Sequence, residues 1–146
     1  MQFSTSLLVA SLLALAYTAP TSSNPQGVAV ERLTARNSVN DCGDSTFENQ
    51  SSGGSPKVSD CQQITRNIAG GGTWRTLVTY GTCALGVQSF DSASGTWYNV
   101  GNQDIIDVIN TSIQKFTFNG LVGAKGNMHC QGDRNGLSVD WAIYHT

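Results

Sequence analysis

Charged side chains are scarce in this chain of 146 residues. Asp, Glu, Lys and Arg make up 12% of it, and the net charge at pH 7 is −2. The 8 Lys and Arg residues form no run or patch. Because nucleic acids and anionic membranes attract clustered basic side chains, neither is an expected partner. Low charge combined with 16 glycines indicates a domain rich in sheet and loops.

Long apolar runs are also absent, apart from one near the start of the chain. Residues 7–16 form an apolar run of signal-peptide length, too short to cross a bilayer as a helix. An A-x-A cleavage site ends at Ala16, with an alternative at Ala19. We therefore predict a signal peptide at residues 1–19 and no transmembrane span. A buried core helix is the alternative, although the Pro-containing stretch that follows would separate it from any core.

The stretch after the leader has little to bury. Residues 20–40 carry Ser, Thr, Asn and Pro, which is typical of a linker or pro-segment. The sequence Leu33-Thr-Ala-Arg36 is a candidate processing site, and a plain flexible tail is the alternative. The folded domain is then residues 41–146, a size at which a hydrophobic core alone gives marginal stability.

The first predicted helix begins at a capping-box sequence. Ser59 and Gln62 have the S-x-x-Q spacing that satisfies two amides at a helix start. The helix should end near Ala69, before three consecutive glycines. Its buried stripe should consist of Cys61, Ile64 and Ile68.

The second predicted helix runs from Gln103 to Phe116. Asn102 is its expected N-cap, and Asp104 is a favourable charge in its first turn. Its apolar residues recur at helical spacing and should form the buried face: Ile105, Ile106, Ile109, Ile113 and Phe116.

Period-2 alternation predicts the strands. Residues 137–144 alternate apolar and polar side chains, as a strand with one buried face does. Further segments are predicted on similar grounds: a hairpin over residues 73–90 that turns at Gly81, a strand at 96–100, a strand at 123–130, and an additional strand near Thr46. The order of elements favours an α+β fold, an antiparallel sheet of four to five strands with both helices on one face.

The four cysteines predict two disulfides. The hairpin strand that follows the first helix should run back along it, which brings Cys83 near Cys61. By elimination, Cys42 then pairs with Cys130. Four cysteines allow three pairings, so this one is a hypothesis from geometry. An even cysteine set behind a signal peptide is typical of an extracellular protein.

Recognisable catalytic motifs are missing. His129 should point away from the core, and His145 is the penultimate residue, where a general base is poorly held. Asp104 and Asp107 could share a helix face, but Asp104 is better explained as a charge at a helix start. We predict no catalytic residues, no metal site and no cofactor.

Aromatic side chains are the alternative recognition groups. Tyr144 lies on the polar phase of its strand, and Tyr98 does so as well if Trp97 is buried. Exposed aromatic rings on a rigid sheet suit binding of sugars or of a protein partner. Ordinary packing within the sheet is the simpler interpretation.

Two N-glycosylation sequons are present. Asn49-Gln-Ser51 lies in a Ser- and Gly-rich stretch, and Asn110-Thr-Ser112 lies on the flank of the second predicted helix. In an exported protein, Asn49 and Asn110 could both carry glycans.

Several short blocks together resemble a known family. They are Asp41-Cys42-Gly-Asp-Ser-Thr-Phe47-Glu48-Asn49, Val58-Ser-Asp-Cys61, Tyr80-Gly-Thr-Cys83, Val100-Gly-Asn-Gln-Asp104, Val122-Gly-Ala-Lys-Gly126 and Trp141-Ala-Ile-Tyr-His-Thr146. In this order they resemble the fungal extracellular-protein-2 effector family, also called the necrosis-inducing factor domain, over residues 41–146.

The resemblance implies a secreted fungal virulence protein in the host apoplast. Such a protein would bind a plant protein or a cell-surface target and provoke cell death or defence recognition. Its implied functional pattern is the cysteine set, and it supplies no catalytic residues. An antimicrobial or killer-toxin-like protein is the alternative function, and a cell-wall glycoside hydrolase is a second alternative.

Overall fold

The computed structural model describes residues 38–89, 97–133 and 136–146. The predicted signal peptide at 1–19 lies outside these ranges, as does the predicted linker at 20–40 except for its last three residues. The last residue of the predicted hairpin at 73–90 and the first residue of the strand predicted at 96–100 lie outside them too. Within the described ranges, no helix is long and apolar enough to cross a membrane.

The described residues form two helices and eight strands. In chain order these are β1 (Cys42–Ser45), β2 (Glu48–Asn49), α1 (Val58–Ile68), β3 (Thr73–Trp74), β4 (Leu77–Tyr80), β5 (Cys83–Ser89), β6 (Val100–Gly101), α2 (Asn102–Phe116), β7 (Ala124–Cys130) and β8 (Leu137–His145).

Six of these strands form one antiparallel sheet. Its order is β1-β7-β8-β5-β4, and β2 pairs with the same edge of β7 as β1 does. The central strand β8 pairs with both β5 and β7 along most of its length. The strands β3 and β6 form a separate two-stranded sheet. The predicted α+β class is confirmed, and the sheet has six strands because two short strands occupy the edge near Thr46.

The core lies between one face of the sheet and the helices. The helix α1 contacts α2, β4 and β5. The alternation predicted for the last strand is confirmed, because its apolar phase is buried. Burial of side chains of this size stabilises the fold by about 1.5–3 kcal/mol each. The buried residues of β8, α1 and α2 are Leu137, Val139, Trp141, Ile143, Cys61, Ile64, Ile68, Ile105, Val108 and Ile109.

The first helix does not begin with the predicted capping box. It begins at Val58, and no side chain caps it. Tertiary contacts satisfy its first amides instead: Val58 N–H donates to the Gly120 carbonyl over 3.0 Å. The Lys57 N–H donates to Thr82 Oγ1 over 3.0 Å. Because these partners come from distant parts of the chain, the local S-x-x-Q pattern was a wrong guide to the helix start.

The second helix also begins differently from the prediction. Gly101 is its N-cap, and Asn102 is its first residue. The Asn102 side chain is buried; its Oδ1 accepts the Val39 N–H over 2.8 Å, and its Nδ2 donates to the Ile68 carbonyl over 3.2 Å. Asn102 therefore joins the segment before β1 and the end of α1 to the start of α2.

The predicted buried face of the second helix is shifted. Ile105 and Ile109 are fully buried as expected. Val108 and Ser112 are buried as well, and the Ser112 hydroxyl donates to the Val108 carbonyl over 2.6 Å. The other predicted members of the face, Ile106, Ile113 and Phe116, are only partly buried.

The strand expected to run without interruption up to Gly81 is broken at residues 75–76. Trp74 pairs with Val100 in the small sheet, whereas the strand that follows pairs with β5. The hydroxyl of Tyr98 lies within hydrogen-bond distance of the Arg75 and Val87 carbonyls, at the break. Of the strand predicted at 96–100, the structure describes residues 97–100; Val100 belongs to β6, and Tyr98 forms an isolated bridge with Gly132.

Both disulfides have the predicted pairing. Cys42 and Cys130 face each other across β1 and β7, and their Cα atoms are 3.9 Å apart. Cys61 and Cys83 join α1 to the start of β5 over a Cα–Cα distance of 5.3 Å. The first bridge fastens an edge strand, and the second fastens a helix to the sheet.

The hairpin between β4 and β5 is held to α1 by a carboxylate. Asp60 Oδ2 accepts the Thr82 N–H over 2.9 Å and the Thr82 hydroxyl over 2.8 Å. These hydrogen bonds, chiefly the one from the Thr82 backbone, lower the pKa of Asp60 below its ordinary value. Gly81 has a positive φ of 54°, and a Cβ there would lie 2.5 Å from Asp60 Oδ2. The turn therefore requires glycine at this position.

We expect Asp60→Asn to remove part of the acid sensitivity of folding. Because the pKa of Asp60 is lowered in the folded state, its stabilising effect is present above the unfolded value of about 3.9 and is lost as pH falls through the folded value. Urea midpoints of the wild type and the variant should differ at neutral pH and converge below about pH 4. Asp107→Asn, which makes the same charge change on an exposed helix face, is the control. A constant difference at every pH would contradict the prediction.

Candidate functional site

The two faces of the main sheet differ in exposure. The register places Leu85, Ile143 and Met128 on the side that faces the helices, and all three are buried. The alternate residues point to the opposite side, where Lys125 and Asp140 are exposed. We call this opposite side the outer face; it comprises Gly86, Gln88, Lys125, Asn127, Asp140, Ala142 and Tyr144, with Thr46 and Glu48 at its edge.

A groove of about 520 Å³ lies on the outer face. Its lining comes from β5, β8 and β7, with Glu48 of β2 at one side and Thr76, from the break before β4, at another. Ligand-binding clefts in proteins usually enclose about 300–1,000 Å³, so this groove has room for a small ligand. Its floor consists of paired strands, which gives it a rigid base.

Tyr144 is the exposed aromatic residue of this groove. Its side chain is 45% exposed, as its position on the polar phase of the strand predicted. A Cβ built on Gly86 would lie 3.1 Å from Tyr144 Cε1 and 3.2 Å from its hydroxyl oxygen. The ring therefore reaches over the neighbouring strand and lies along the sheet, instead of pointing away from it. Glycine at position 86 leaves the space that this orientation needs.

The charged groups of the groove are paired with neighbours. Lys125 Nζ lies 3.1 Å from Glu48 Oε2, opposite it in the β2–β7 pair. Asn127 Nδ2 lies 2.9 Å from Asp140 Oδ1 and 2.6 Å from Ser138 Oγ. The groove thus combines one exposed aromatic ring with amide and hydroxyl groups, one ion pair and the carboxylate of Asp140.

A second groove, of about 600 Å³, is acidic. It lies between α2 and β1 and is lined by Asp44, Asp104 and Asp107, with Phe47 and Met128 at its base. Paired carboxylates across a cleft are the groups that glycoside hydrolases use. A hydrolase reaction in this groove would need two of its carboxylates, Asp44, Asp104 or Asp107, to be free to act on a substrate.

The buried carboxylate of the acidic groove, Asp104, accepts hydrogen bonds from the backbone. Asp104 Oδ2 accepts the N–H groups of Gly101, Asp41 and Cys42 over 2.9, 2.8 and 3.2 Å. Burial raises the pKa of Asp104, and these three donors oppose the rise. These hydrogen bonds anchor the segment that enters β1 to the start of α2, and they account for the position of Asp104. Asp107 is exposed and accepts a hydrogen bond from Gln103 Nε2 over 2.7 Å.

Neither histidine lines the acidic groove. His129 is exposed on the outer side of β7, as predicted, and His145 is exposed at the end of β8, where Nδ1 lies 2.7 Å from the Thr146 carbonyl oxygen. Across the residues that the structure describes, no group of three or more His, Cys, Asp or Glu side chains could hold a metal ion.

The condition on which Tyr98 was expected to be exposed is not met. Trp97 is 43% exposed instead of buried, and Tyr98, its neighbour on the opposite phase, is only 8% exposed. Tyr98 faces inward because its hydroxyl reaches the carbonyls at the break before β4. Its burial raises the pKa of Tyr98.

The two sequon asparagines are both exposed. Asn49 ends β2, and its Oδ1 accepts the Ser51 N–H over 2.8 Å. Asn110 lies on the solvent side of α2. Both positions are accessible, and glycosylation of Asn49 and Asn110 stays a prediction.

Residues 41–130 match the Hce2 family, described as "Pathogen effector; putative necrosis-inducing factor". The match begins one residue before Cys42 and ends at Cys130, so it includes both disulfides. The chain belongs to the Hce2 family. This membership agrees with the effector resemblance that the sequence blocks indicated.

Two curated relatives of this Hce2 chain come from Penicillium expansum. "Probable chitinase LysM18" is 40% identical over 114 residues, which is 73% of this chain and 8% of that protein. "Secreted chitinase LysM12" is 30% identical over 110 residues, 69% of this chain and 7% of that protein. The chain therefore spans less than a tenth of the length of these two relatives. An extracellular location agrees with the effector family and with the name of the second relative.

The sequence interpretation missed most of the outer face of this Hce2 domain. It identified Tyr144 but assigned no role to Gly86, Lys125, Asn127 or Asp140. Lys125, Asn127 and Asp140 alternate with the buried residues of their strands, so alternation alone would place them on the exposed face. A glycine inside a strand, such as Gly86, often marks a site where another group approaches the backbone closely. These two signals together could have indicated the groove.

Proposed function

We propose that this protein is a secreted effector that binds a target outside the producing cell without catalysing a reaction. The target would be a host protein or cell-surface component, and the host a plant. The observation that carries the proposal is the exposed, polar outer face on a disulfide-bridged sheet, in a chain of an effector family. A rigid scaffold reduces the entropy that binding would otherwise cost.

The names of the two relatives make hydrolysis of a cell-wall polysaccharide the second candidate. The matched part is a small fraction of each relative, so their chitinase activity need not belong to it. In this chain the carboxylate with the raised pKa, Asp104, already accepts three backbone hydrogen bonds. A carboxylate used in this way is poorly placed to transfer a proton to a substrate, which supports a binding role.

Leaf infiltration with matched charge variants tests the proposal. Lys125→Glu reverses a charge in the outer-face groove, and Arg66→Glu makes the same change on the exposed side of α1, away from the sheet. We expect the wild type to elicit necrosis or a defence response in some host genotypes. Lys125→Glu should need about tenfold more protein for the same response, whereas Arg66→Glu should match the wild type.

Two results would contradict this function. One is the absence of any response across a broad panel of host genotypes, together with unchanged virulence of a deletion strain. The other is an equal response to both charge variants, which would place the active surface elsewhere. Inhibition of competing fungi or bacteria in a parallel growth assay would instead support the antimicrobial alternative.

A further inference from the structure

We propose that the groove on the outer face binds an uncharged oligosaccharide, with the ring of Tyr144 as its stacking platform. The inference rests on the proposed binding function and names the chemical class of the ligand. It is carried by the position of the ring on Gly86, by the pairing of the one described cation of the groove with Glu48, and by the polar rim of the groove.

The ring of Tyr144 has the placement that sugar stacking needs. It lies along the sheet over Gly86 and remains 45% exposed. The face of an aromatic ring is electron-rich, and the C–H groups on one side of a pyranose carry partial positive charge, so the two surfaces attract each other. A ring that stood upright in solvent would present an edge and lose more conformational freedom on binding.

The charges of the groove disfavour an acidic ligand. Its one lysine, Lys125, is paired with Glu48, and Asp140 keeps its negative charge while it accepts a hydrogen bond from Asn127. A phosphate or carboxylate would find the only described cation already matched and would be repelled by Asp140, whereas an uncharged ligand meets no such repulsion. Hydroxyl groups of a sugar can donate to the carboxylates and accept from the Gln88 amide without displacing any charge.

The shape of the groove also fits a short chain of sugars. The lining runs across β5, β8, β7 and β2, which is about 14 Å at the usual spacing between strands. The polar side chains Gln88, Asp140, Asn127 and Thr46 follow this path beyond the aromatic ring. Such a row could fix successive sugar units through hydrogen bonds while Tyr144 holds one ring by stacking.

Calorimetric titration with three neutral β-1,4-linked hexasaccharides tests the inference: those of N-acetylglucosamine, glucose and xylose. We expect the wild type to bind at least one, the first pointing to fungal walls and the other two to plant walls. Tyr144→Ala should weaken that binding about tenfold, and Tyr144→Trp should retain it. Tyr80→Ala is the matched control, because Tyr80 is equally exposed, at 47%, but lies outside the groove.

A further variant keeps the test independent of folding. Gly86→Ala adds a methyl group where the ring of Tyr144 lies, so it should weaken binding while thermal unfolding stays close to that of the wild type. Binding to none of the three sugars, or equal binding by Tyr144→Ala and Tyr80→Ala, would overturn the inference. Wild-type protein that elicits a leaf response yet binds no sugar would refute this inference alone. Sugar binding without any leaf response, together with unchanged virulence of a deletion strain, would refute the proposed effector function instead.

Discussion

Replacing Cys42 and Cys130 together by alanine is expected to lower the free energy of unfolding by about 4–5 kcal/mol. The bridge closes a loop of 88 residues, and in the chain-entropy account the stabilisation grows with the length of the closed loop. Small domains have only about 5–15 kcal/mol of stability, so this variant should be close to unfolded at physiological temperature. Guanidinium denaturation of the purified variant measures the loss.

The other disulfide is the matched control for this prediction. Cys61 and Cys83 are separated by 22 residues, so their joint replacement by alanine should cost less, about 3 kcal/mol. Both cysteines of this pair are fully buried, so part of the stability lost on their replacement will come from lost packing. A larger loss for the shorter loop would contradict the entropic account and would point to packing around α1 as the dominant contribution.

Asp104→Ala is expected to destabilise the fold by about 3 kcal/mol or more. The substitution leaves the N–H groups of Gly101, Asp41 and Cys42 without their acceptor, and each such loss costs about 1–3 kcal/mol where water cannot replace it. Asp104→Asn keeps one accepting oxygen and should cost about 1 kcal/mol. Asp107→Ala, one turn further along on the exposed face, is the control and should change stability by less than about 0.5 kcal/mol.

The effect of Asp104 should also depend on pH in a defined direction. Burial raises the pKa of Asp104, so the folded protein holds this proton more tightly than the unfolded chain does. Its contribution is fully present below the unfolded value of about 3.9 and is lost as pH rises through the folded value. The difference in unfolding free energy between the wild type and Asp104→Asn should therefore shrink as pH rises. A difference that grows with pH would show that the ionised form is the stabilising one.

Asp104 and the first disulfide act on the same residue. The carboxylate accepts the Cys42 N–H, and the disulfide joins the same cysteine to β7. Changes at groups that share a partner are rarely additive. Combining Asp104→Ala with the Cys42/Cys130 replacement should lower the free energy of unfolding by less than the sum of the two separate effects. A strictly additive result would show that the hydrogen bonds of Asp104 and the disulfide stabilise the fold independently.

The spacing of apolar residues along the chain predicted the buried faces correctly in two elements. The buried stripe of α1 and the alternation of β8 follow directly from apolar spacing, and both are confirmed. The pairing of Cys61 with Cys83 followed from the length of a helix and of a returning strand, because backbone rise per residue is nearly constant.

The sequence pattern gave a wrong prediction where a hydrogen-bond partner comes from a distant part of the chain. The start of α1 depends on Gly120 and Thr82, and the start of α2 depends on Val39; no short window of sequence contains these partners. Hydrogen bonds between segments far apart in the chain override the local rules for helix capping.

The amino-acid order by itself determined the α+β class, the buried faces of α1 and β8 and the cysteine pairing, because these depend on periodicity and on short-range geometry; it also carried the resemblance to an effector family. Only the tertiary structure decided which strands line the groove and that Tyr144 lies over Gly86. It also decided that Asp104 is committed to three backbone donors. The physical reason is that a groove and a buried carboxylate are made by side chains from several strands and helices, whose relative positions are set by packing and not by their spacing along the chain.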